Sequence, residues 1–247
     1  MIRTSKTQSR ALVAGQVRSV KRARTSRAAS PGALATDRAK ALELTPVSRE
    51  TVERLDAFVA LLLEWQRTTN LIAPSTIPRL WTRHIADSLQ LIDLAPQARI
   101  WADLGSGGGF PGLAVACALQ QTPGAMVHLV ESNTRKAAFL REAGRVTATS
   151  IAVHAERIEN FAARFAGELD AVCARALAPL DDLVNLAFPL LGKTGTVGLF
   201  PKGQNAGVEL REAANRWALH ATMVASRTDP HARIIVVRNV ERRRGAL

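Results

Sequence analysis

Residues 103–112 read DLGSGGGFPG, five glycines in ten positions. The stretch stands between a short apolar run, Ile100–Leu104, and an apolar helical pattern at 112–120. So much glycine gives up a large chain entropy on folding, so it is expected where the backbone must turn tightly or let a ligand approach closely. Placed between a strand and a helix, it calls for a sheet whose strands end in binding loops. The rest of the chain meets that demand. Apolar runs at Met126–Val130, 150–154, 170–174, 196–200, 223–226 and 233–240 alternate with helical patterns at 133–145, 157–166, 179–191 and 204–217. This alternation predicts an α/β fold, Rossmann-like, with a mainly parallel seven-stranded sheet and helices on both faces. In such sheets ligands bind beyond the carboxyl ends of the strands, where the glycine loop lies.

Ahead of that domain, placed at 96–247, residues 41–95 read as a small N-terminal helical region. Thr45-Pro46 has the form of a cap followed by proline at the first helical position. Val52, Leu55, Val59, Leu62 and Leu63 then recur at three- and four-residue spacing, one apolar helix face. Residues 70–78 read as a loop and 79–93 as a second helix. Residues 1–40 hold ten Lys/Arg and a single acid, Asp37, whereas 41–247 hold 23 Lys/Arg and 20 Asp/Glu. Most of the formal charge of +12 therefore sits in the first forty residues. That segment lacks apolar periodicity and is expected to be a disordered basic extension. An RNA-binding arm, a transit-type peptide and a dispensable tail all match its composition. Cys117 and Cys173 lie inside apolar runs, without disulfide or metal spacing, a usage that points to a reduced cytoplasmic protein. No metal site is expected, since His84 has no second His or Cys near it at ligand spacing, and no membrane partner, since no apolar run approaches the ~20 residues of a spanning helix.

Three readings of the glycine loop compete. Gly107 to Gly112 matches the dinucleotide pattern G-x-G-x-x-G, but counting from Gly105, the first glycine after the strand, the third position falls on Phe110. A plain tight turn would not need so many glycines. In the pattern D-x-G-x-G-x-G, Asp103, Gly105, Gly107 and Gly109 fall in register, as for S-adenosylmethionine. There bare backbone would lie against the ligand while the Asp103 carboxylate meets the ammonium. Glu131, closing the run VHLVE, is placed to accept both ribose hydroxyls of either kind of nucleoside ligand.

The stretches WADLGSGGGFPGLAVA, VESNTRKAAFLREA, AERIENF, ARALAPLDDLV and LFPKGQ occur in this order, with NL…RHIADSLQL upstream. Together, over about residues 45–240, they resemble the RsmG (GidB) family of bacterial 16S ribosomal RNA guanine-N7 methyltransferases. The resemblance implies the class I S-adenosylmethionine-dependent methyltransferase fold, S-adenosyl-L-methionine as cofactor and 16S rRNA or the small ribosomal subunit as partner, with a monomer expected. It implies that Gly105 and Phe110 contact the cofactor and that Ile158 and Glu159 hold its adenine end. Arg175 would reach it from the opposite side, bonding the methionine carboxylate. Asn70, Arg83, His84, Asp87 and Lys202 are candidates for the RNA-facing side. Arg83 and Asp87 also stand at i,i+4, where they can simply pair with each other. Lys202, between Pro201 and Gly203, is expected to face the open end of the site.

The chemistry of the residues narrows the methylated atom separately. After the fourth strand the chain reads Ala174-Arg175-Ala176-Leu177-Ala178-Pro179, without the Asn/Asp-Pro-Pro-aromatic loop that serves exocyclic amines. Cys173 lacks the proline of a pyrimidine-methylating nucleophile and reads as a core thiol. Lys202 has no early lysine partner for ribose 2′-O chemistry. Guanine N7 carries a lone pair and no proton, so it needs positioning rather than a general base, and no catalytic residue is assigned. An NAD-linked oxidoreductase on a similar sheet and a non-catalytic cofactor- or RNA-binding module remain the alternatives.

Overall fold

The computed structural model describes residues 31–192 and 195–243. Two helices open it, α1 (Pro31–Leu44) and α2 (Arg49–Gln66). The cap that starts α2 is Ser48, whose Oγ accepts from the Thr51 N–H at 3.2 Å. Thr45, expected in that role, instead returns its hydroxyl to the Ala41 carbonyl at the end of α1. Leu55, Phe58, Val59 and Leu62 form the buried face of α2.

Residues 31–40, expected to belong to a disordered extension, are helical and packed. Asp37 is buried, and its carboxylate accepts from the Trp81 N–H at 2.7 Å and the Thr82 N–H at 3.2 Å, and from the Thr82 hydroxyl. Arg38 pairs with Asp56 at 2.7 Å and lies over the Trp81 ring. These contacts join positions far apart in the chain, which is why local composition does not show them. The remainder of the expected extension, 1–30, lies outside the described residues.

Where a loop and one continuous helix were expected, the chain makes a 3-10 turn (Pro74–Arg79), a π-helical turn (Trp81–Ala86), the short α3 (Asp87–Leu89) and a 3-10 turn (Ile92–Leu94). Beyond it the alternation is regular: β1 (Ile100–Leu104), α4 (Gly112–Leu119), β2 (Met126–Val130), α5 (Thr134–Thr147), β3 (Ile151–His154), α6 (Ile158–Arg164), β4 (Ala171–Cys173), α7 (Leu180–Leu191), β5 (Val197–Lys202), α8 (Ala206–Arg216), β6 (Trp217–Ala225) and β7 (Arg233–Arg242). The seven strands lie in the order β3-β2-β1-β4-β5-β7-β6. The first five are parallel, and β7 runs antiparallel to both β5 and β6.

Alternation along β1 divides the core. Trp101 packs on the side of α2, α4 and α5 with Phe58, Leu113 and Phe139. Ala102 and Leu104 face the other layer with Phe161, Val184 and Trp217. The reversal at β1, with β2 on one side and β4 on the other, leaves a crevice beyond the carboxyl ends of these strands. Pairing of Lys202 with Arg233 brings the start of β7 to the same end of the sheet.

Candidate functional site

The glycine loop leaves β1 and folds over the end of β2. Gly105 and Ser106 both donate their N–H to the Val130 carbonyl, at 2.9 and 3.0 Å. Gly105 (φ 73°) and Gly107 (φ 53°) take left-handed conformations, which side chains with a Cβ seldom adopt. Glu131 braces this turn: Oε2 accepts from the Gly107 N–H at 2.9 Å and Oε1 from the Asn133 N–H at 2.7 Å. A carboxylate has about four lone-pair sites, so these two bonds leave acceptor capacity on the cleft side.

Asp103 does not face a ligand. It is fully buried beneath the loop, accepts from the Gly112 N–H at 3.0 Å and lies against the Cys173 sulfur. Burial raises its pKa to about 6. Its register with the glycines predicts contact with an ammonium; the structure gives it the task of closing the loop onto α4.

Opposite the loop stands a cluster assembled around Arg175, just past β4. Its Nη1 donates to the Arg83 carbonyl at 3.0 Å and meets Asp87 Oδ2 at 3.3 Å. Nη2 stands 2.6 Å from His84 Nδ1, and the guanidinium covers the Phe110 ring at 5.3 Å. A guanidinium only donates, so Nδ1 of His84 accepts and Nε2 carries the proton, given to Thr76 Oγ1 at 2.8 Å. Burial, reinforced by the cations of Arg175 and Arg83, pulls the His84 pKa down to about 3. Burial also lowers the pKa of Arg175, with Asp87 opposing the shift. Phe110 is enclosed by Phe58 and His84, with ring centroids 5.1 and 5.0 Å away. The π-helical turn supplies Arg83 and His84, α3 supplies Asp87, and Asp37 on α1 holds the first N–H groups of that turn.

Two clefts meet at this cluster. The first, of about 590 Å³, is lined by Gly105, Gly107, Phe110, Glu131, Ile158, Glu159 and Arg175. All seven residues expected around the cofactor are thus brought together. The second, of about 430 Å³, lies beyond Arg175 toward β5 and β7. Arg83, Arg175, Ala176 and Leu177 border both.

The RNA-facing candidates fare differently. Arg83 borders both clefts, half-exposed, 3.6 Å from Asp87. His84 lies in the first cleft and Lys202 in the second. The Lys202 ammonium is consumed internally, by Glu209 at 2.8 Å and the Ala178 carbonyl at 2.6 Å. It does not reach out of the open end as expected, because a buried ammonium must be paired where it lies. Asn70 is exposed and borders neither cleft.

Sequence reasoning missed Leu177, Lys136 and Asp229, of which the first borders both clefts, the second the first cleft and the third the second. Lys136 follows Glu131 within ESNTRK and was within reach of a reading of that segment. Leu177 and Asp229 carry no local signal. No cluster of potential metal ligands occurs among the described residues, and none of their helices is long and apolar enough to cross a membrane.

A family model described as rRNA small subunit methyltransferase G matches residues 51–235. The ribosomal RNA small subunit methyltransferase G of Bradyrhizobium sp. (strain ORS 278) is 56% identical over 219 residues, covering 89% of this chain and 98% of the relative. The protein of the same name from Nitrobacter hamburgensis is 54% identical over 209 residues, covering 85% of this chain and 80% of the relative. Among solved structures, an O-methyltransferase from Bacillus cereus in complex with S-adenosylhomocysteine has a TM-score of 0.52 at 16% identity, covering 82% of this chain and 96% of that one. The O-methyltransferase TomG from Streptomyces achromogenes, in complex with S-adenosylmethionine, has a TM-score of 0.50 at 16% identity, covering 82% and 95%. At such identities these two structures bear on the fold alone, and both have the methyltransferase architecture.

Proposed function

The chain belongs to the rRNA small subunit methyltransferase G family, and from that premise we propose that it methylates N7 of a guanine in 16S rRNA at the expense of S-adenosylmethionine. The observation that carries the reading is the pair of clefts sharing one wall at Arg83, Arg175, Ala176 and Leu177. A nucleoside ligand in the first and a base in the second would meet across that wall. When bound, S-adenosylmethionine supplies an electrophilic methyl group on a positively charged sulfur.

The residues of the first cleft fit such a ligand. Glu131 keeps lone pairs for ribose hydroxyls, Ile158 offers an apolar wall, Glu159 stands beside it, and the bare backbone of Gly105 and Gly107 allows close approach. Arg175 carries a fixed positive charge for a carboxylate, although its donors already serve Arg83, His84 and Asp87. Its first task is to lock the wall in place; a ligand carboxylate would join an existing network.

The junction suits a nucleophile that needs no deprotonation. His84 has both ring nitrogens engaged and a pKa near 3, a poor proton acceptor at neutral pH. The Cys173 thiol is fully buried, and burial raises its pKa well above the ordinary value. Guanine N7 attacks with a free lone pair, so the protein's share of the work is positioning. Since one chain builds both clefts, the protein is taken to act as a monomer, in the cytoplasm beside its ribosomal substrate.

The test is calorimetric titration with S-adenosylhomocysteine and NAD, followed by incubation with labelled S-adenosylmethionine and small subunits from cells lacking the enzyme. S-adenosylhomocysteine should bind, NAD should not, and label should enter 16S rRNA. Tight NAD binding alone would indicate the oxidoreductase, and cofactor binding without transfer a non-catalytic module.

A further inference from the structure

Resting on that reading, we infer that Asp229 is the group that reads the target guanine, accepting from its N1–H and N2–H edge in the second cleft. The charges lining this cleft are mostly spent on one another. Asp87 is held by Arg175 and Arg83, and Glu209 by Lys202. Asp229 makes no ion pair among the described residues. Its Oδ1 accepts from the His231 N–H at 2.9 Å, and Oδ2 has no protein donor among those residues.

The turn that carries Asp229, between β6 and β7, is fixed in place. Its own carbonyl accepts from the Ala232 N–H at 3.1 Å. Thr228 donates its hydroxyl to Asp87 Oδ1 at 2.9 Å, and the Arg227 N–H donates to Gln90 Oε1 at 2.9 Å. These bonds tie the carboxylate to the same segment that positions Arg175, so the two sides of the cleft keep a set separation.

Guanine fits this arrangement by the layout of its edges. N1–H and the N2 amino group are adjacent donors that match the two oxygens of a carboxylate, as in other protein contacts to bases. N7 lies on the opposite edge of the purine. A base held at Asp229, on the β7 side, therefore turns N7 toward the wall shared with the first cleft. There Leu177, with 39% of its surface exposed, offers an apolar face to the ring. Adenine would present an acceptor at N1 and no N2 amino group, leaving the carboxylate unpaired.

The same contact strengthens during reaction. The N7 lone pair forms a bond to the methyl carbon as the carbon–sulfur bond breaks, and sulfur keeps the bonding pair. No proton leaves, and the positive charge passes from sulfur to the purine. N1–H and N2–H become better donors as that charge grows, so a carboxylate on them holds the transition state more tightly than the substrate.

The experiment compares wild type, Asp229→Ala and Asp229→Asn on small subunits reconstituted with guanine or inosine at the target; inosine lacks only the N2 amino group. Asp229→Ala should lower kcat tenfold or more while S-adenosylhomocysteine affinity changes less than twofold, showing an intact fold and first cleft. Asp229→Asn, which keeps one acceptor, should fall between Ala and wild type. Inosine should slow wild type at least tenfold but slow Asp229→Ala less than twofold. The affinity of wild type for the inosine particle, measured by sedimentation, should lie between its affinity for the guanine particle and that of Asp229→Ala for the guanine particle, because inosine keeps N1–H. Wild-type turnover by Asp229→Ala, or losses from inosine and Asp229→Ala that simply multiply, would overturn the assignment while leaving methyl transfer standing. No transfer by wild type would overturn both.

Discussion

Replacing Asp37 by alanine removes one carboxylate that serves three donors: the Trp81 N–H, the Thr82 N–H and the Thr82 hydroxyl. All three are buried, and two of them belong to the opening of the π-helical turn, where unsatisfied N–H groups concentrate positive charge. Hydrogen bonds to a charged acceptor contribute about 1.5–3 kcal/mol each. The three share one acceptor and are not additive, so a loss of about 3–5 kcal/mol is expected, in the range for one partner removed from a buried charged contact. For a chain of this length that corresponds to a fall of roughly 6–20 °C in Tm. Urea unfolding followed by tryptophan fluorescence reports it, with Trp81 at the perturbed turn. Asp37→Asn, which keeps an acceptor, should lose about half as much. S-adenosylhomocysteine affinity should drop as well, because the turn carries the His84 ring and the Arg83 carbonyl that hold Arg175. Stability of Asp37→Ala within about 1 kcal/mol of wild type would refute the claim that α1 anchors the site.

Glu131→Ala should weaken S-adenosylhomocysteine binding at least tenfold by calorimetry, since it loses both the ribose acceptor and the brace on Gly107; unchanged affinity would remove Glu131 from the site. Arg175→Ala should cost about 3–5 kcal/mol in urea unfolding, since it leaves the buried Asp87 with only the looser Arg83 cation at 3.6 Å and His84 Nδ1 without its donor, whereas Lys202→Ala should lower stability by about 1–3 kcal/mol and leave cofactor affinity unchanged. A stable Arg175→Ala, or loss of the cofactor in Lys202→Ala, would contradict the pairings described. His84 gives a pH signature: as pH falls from 6.5 toward 3, the unfolded chain takes up a proton that the folded one refuses, so stability drops by up to about 1.4 kcal/mol per pH unit. His84→Gln should make that slope shallower by nearly one proton between pH 6 and 4. His128 and His154, also pulled down by burial, remain in both proteins, so an equal slope would show that His84 protonates in the fold.

The parts of the fold legible in the sequence are those set by local pattern. Short apolar runs marked the parallel strands, and the glycines after β1 marked the crevice because their conformations are a property of the residues themselves. Glu131 was readable for the same reason, as an acid closing an apolar strand. Long-range partnerships were not. Asp37 sits in a basic segment without apolar periodicity, and its partners are 44 and 45 residues away. Arg175 is expected at the cofactor's carboxylate, but its lock on the wall between the clefts is not legible, because His84 and Asp87, 91 and 88 residues upstream, cannot be inferred from its neighbours. Asp103 was misdirected because its register with the glycines does not say which face of β1 it occupies. β6 begins at Trp217, immediately after α8, rather than near 223. Its partly exposed, polar-interrupted first half hides the strand pattern.

The proposed reaction, in which two clefts meeting at Arg175 bring a methyl donor to a nucleophile with a lone pair and no proton, leaves its mark in the product. Its most direct test is the identity of the product nucleoside. Small subunits from cells lacking the enzyme would be incubated with S-adenosylmethionine bearing a labelled methyl group, and the 16S rRNA digested and resolved by mass spectrometry against standards. Label is expected in 7-methylguanosine, about one per particle. Label in a 2′-O-methylated nucleoside, in N2-methylguanosine or in 5-methylcytidine would contradict it, because each of those atoms requires a base or nucleophile that neither His84 nor Cys173 can provide.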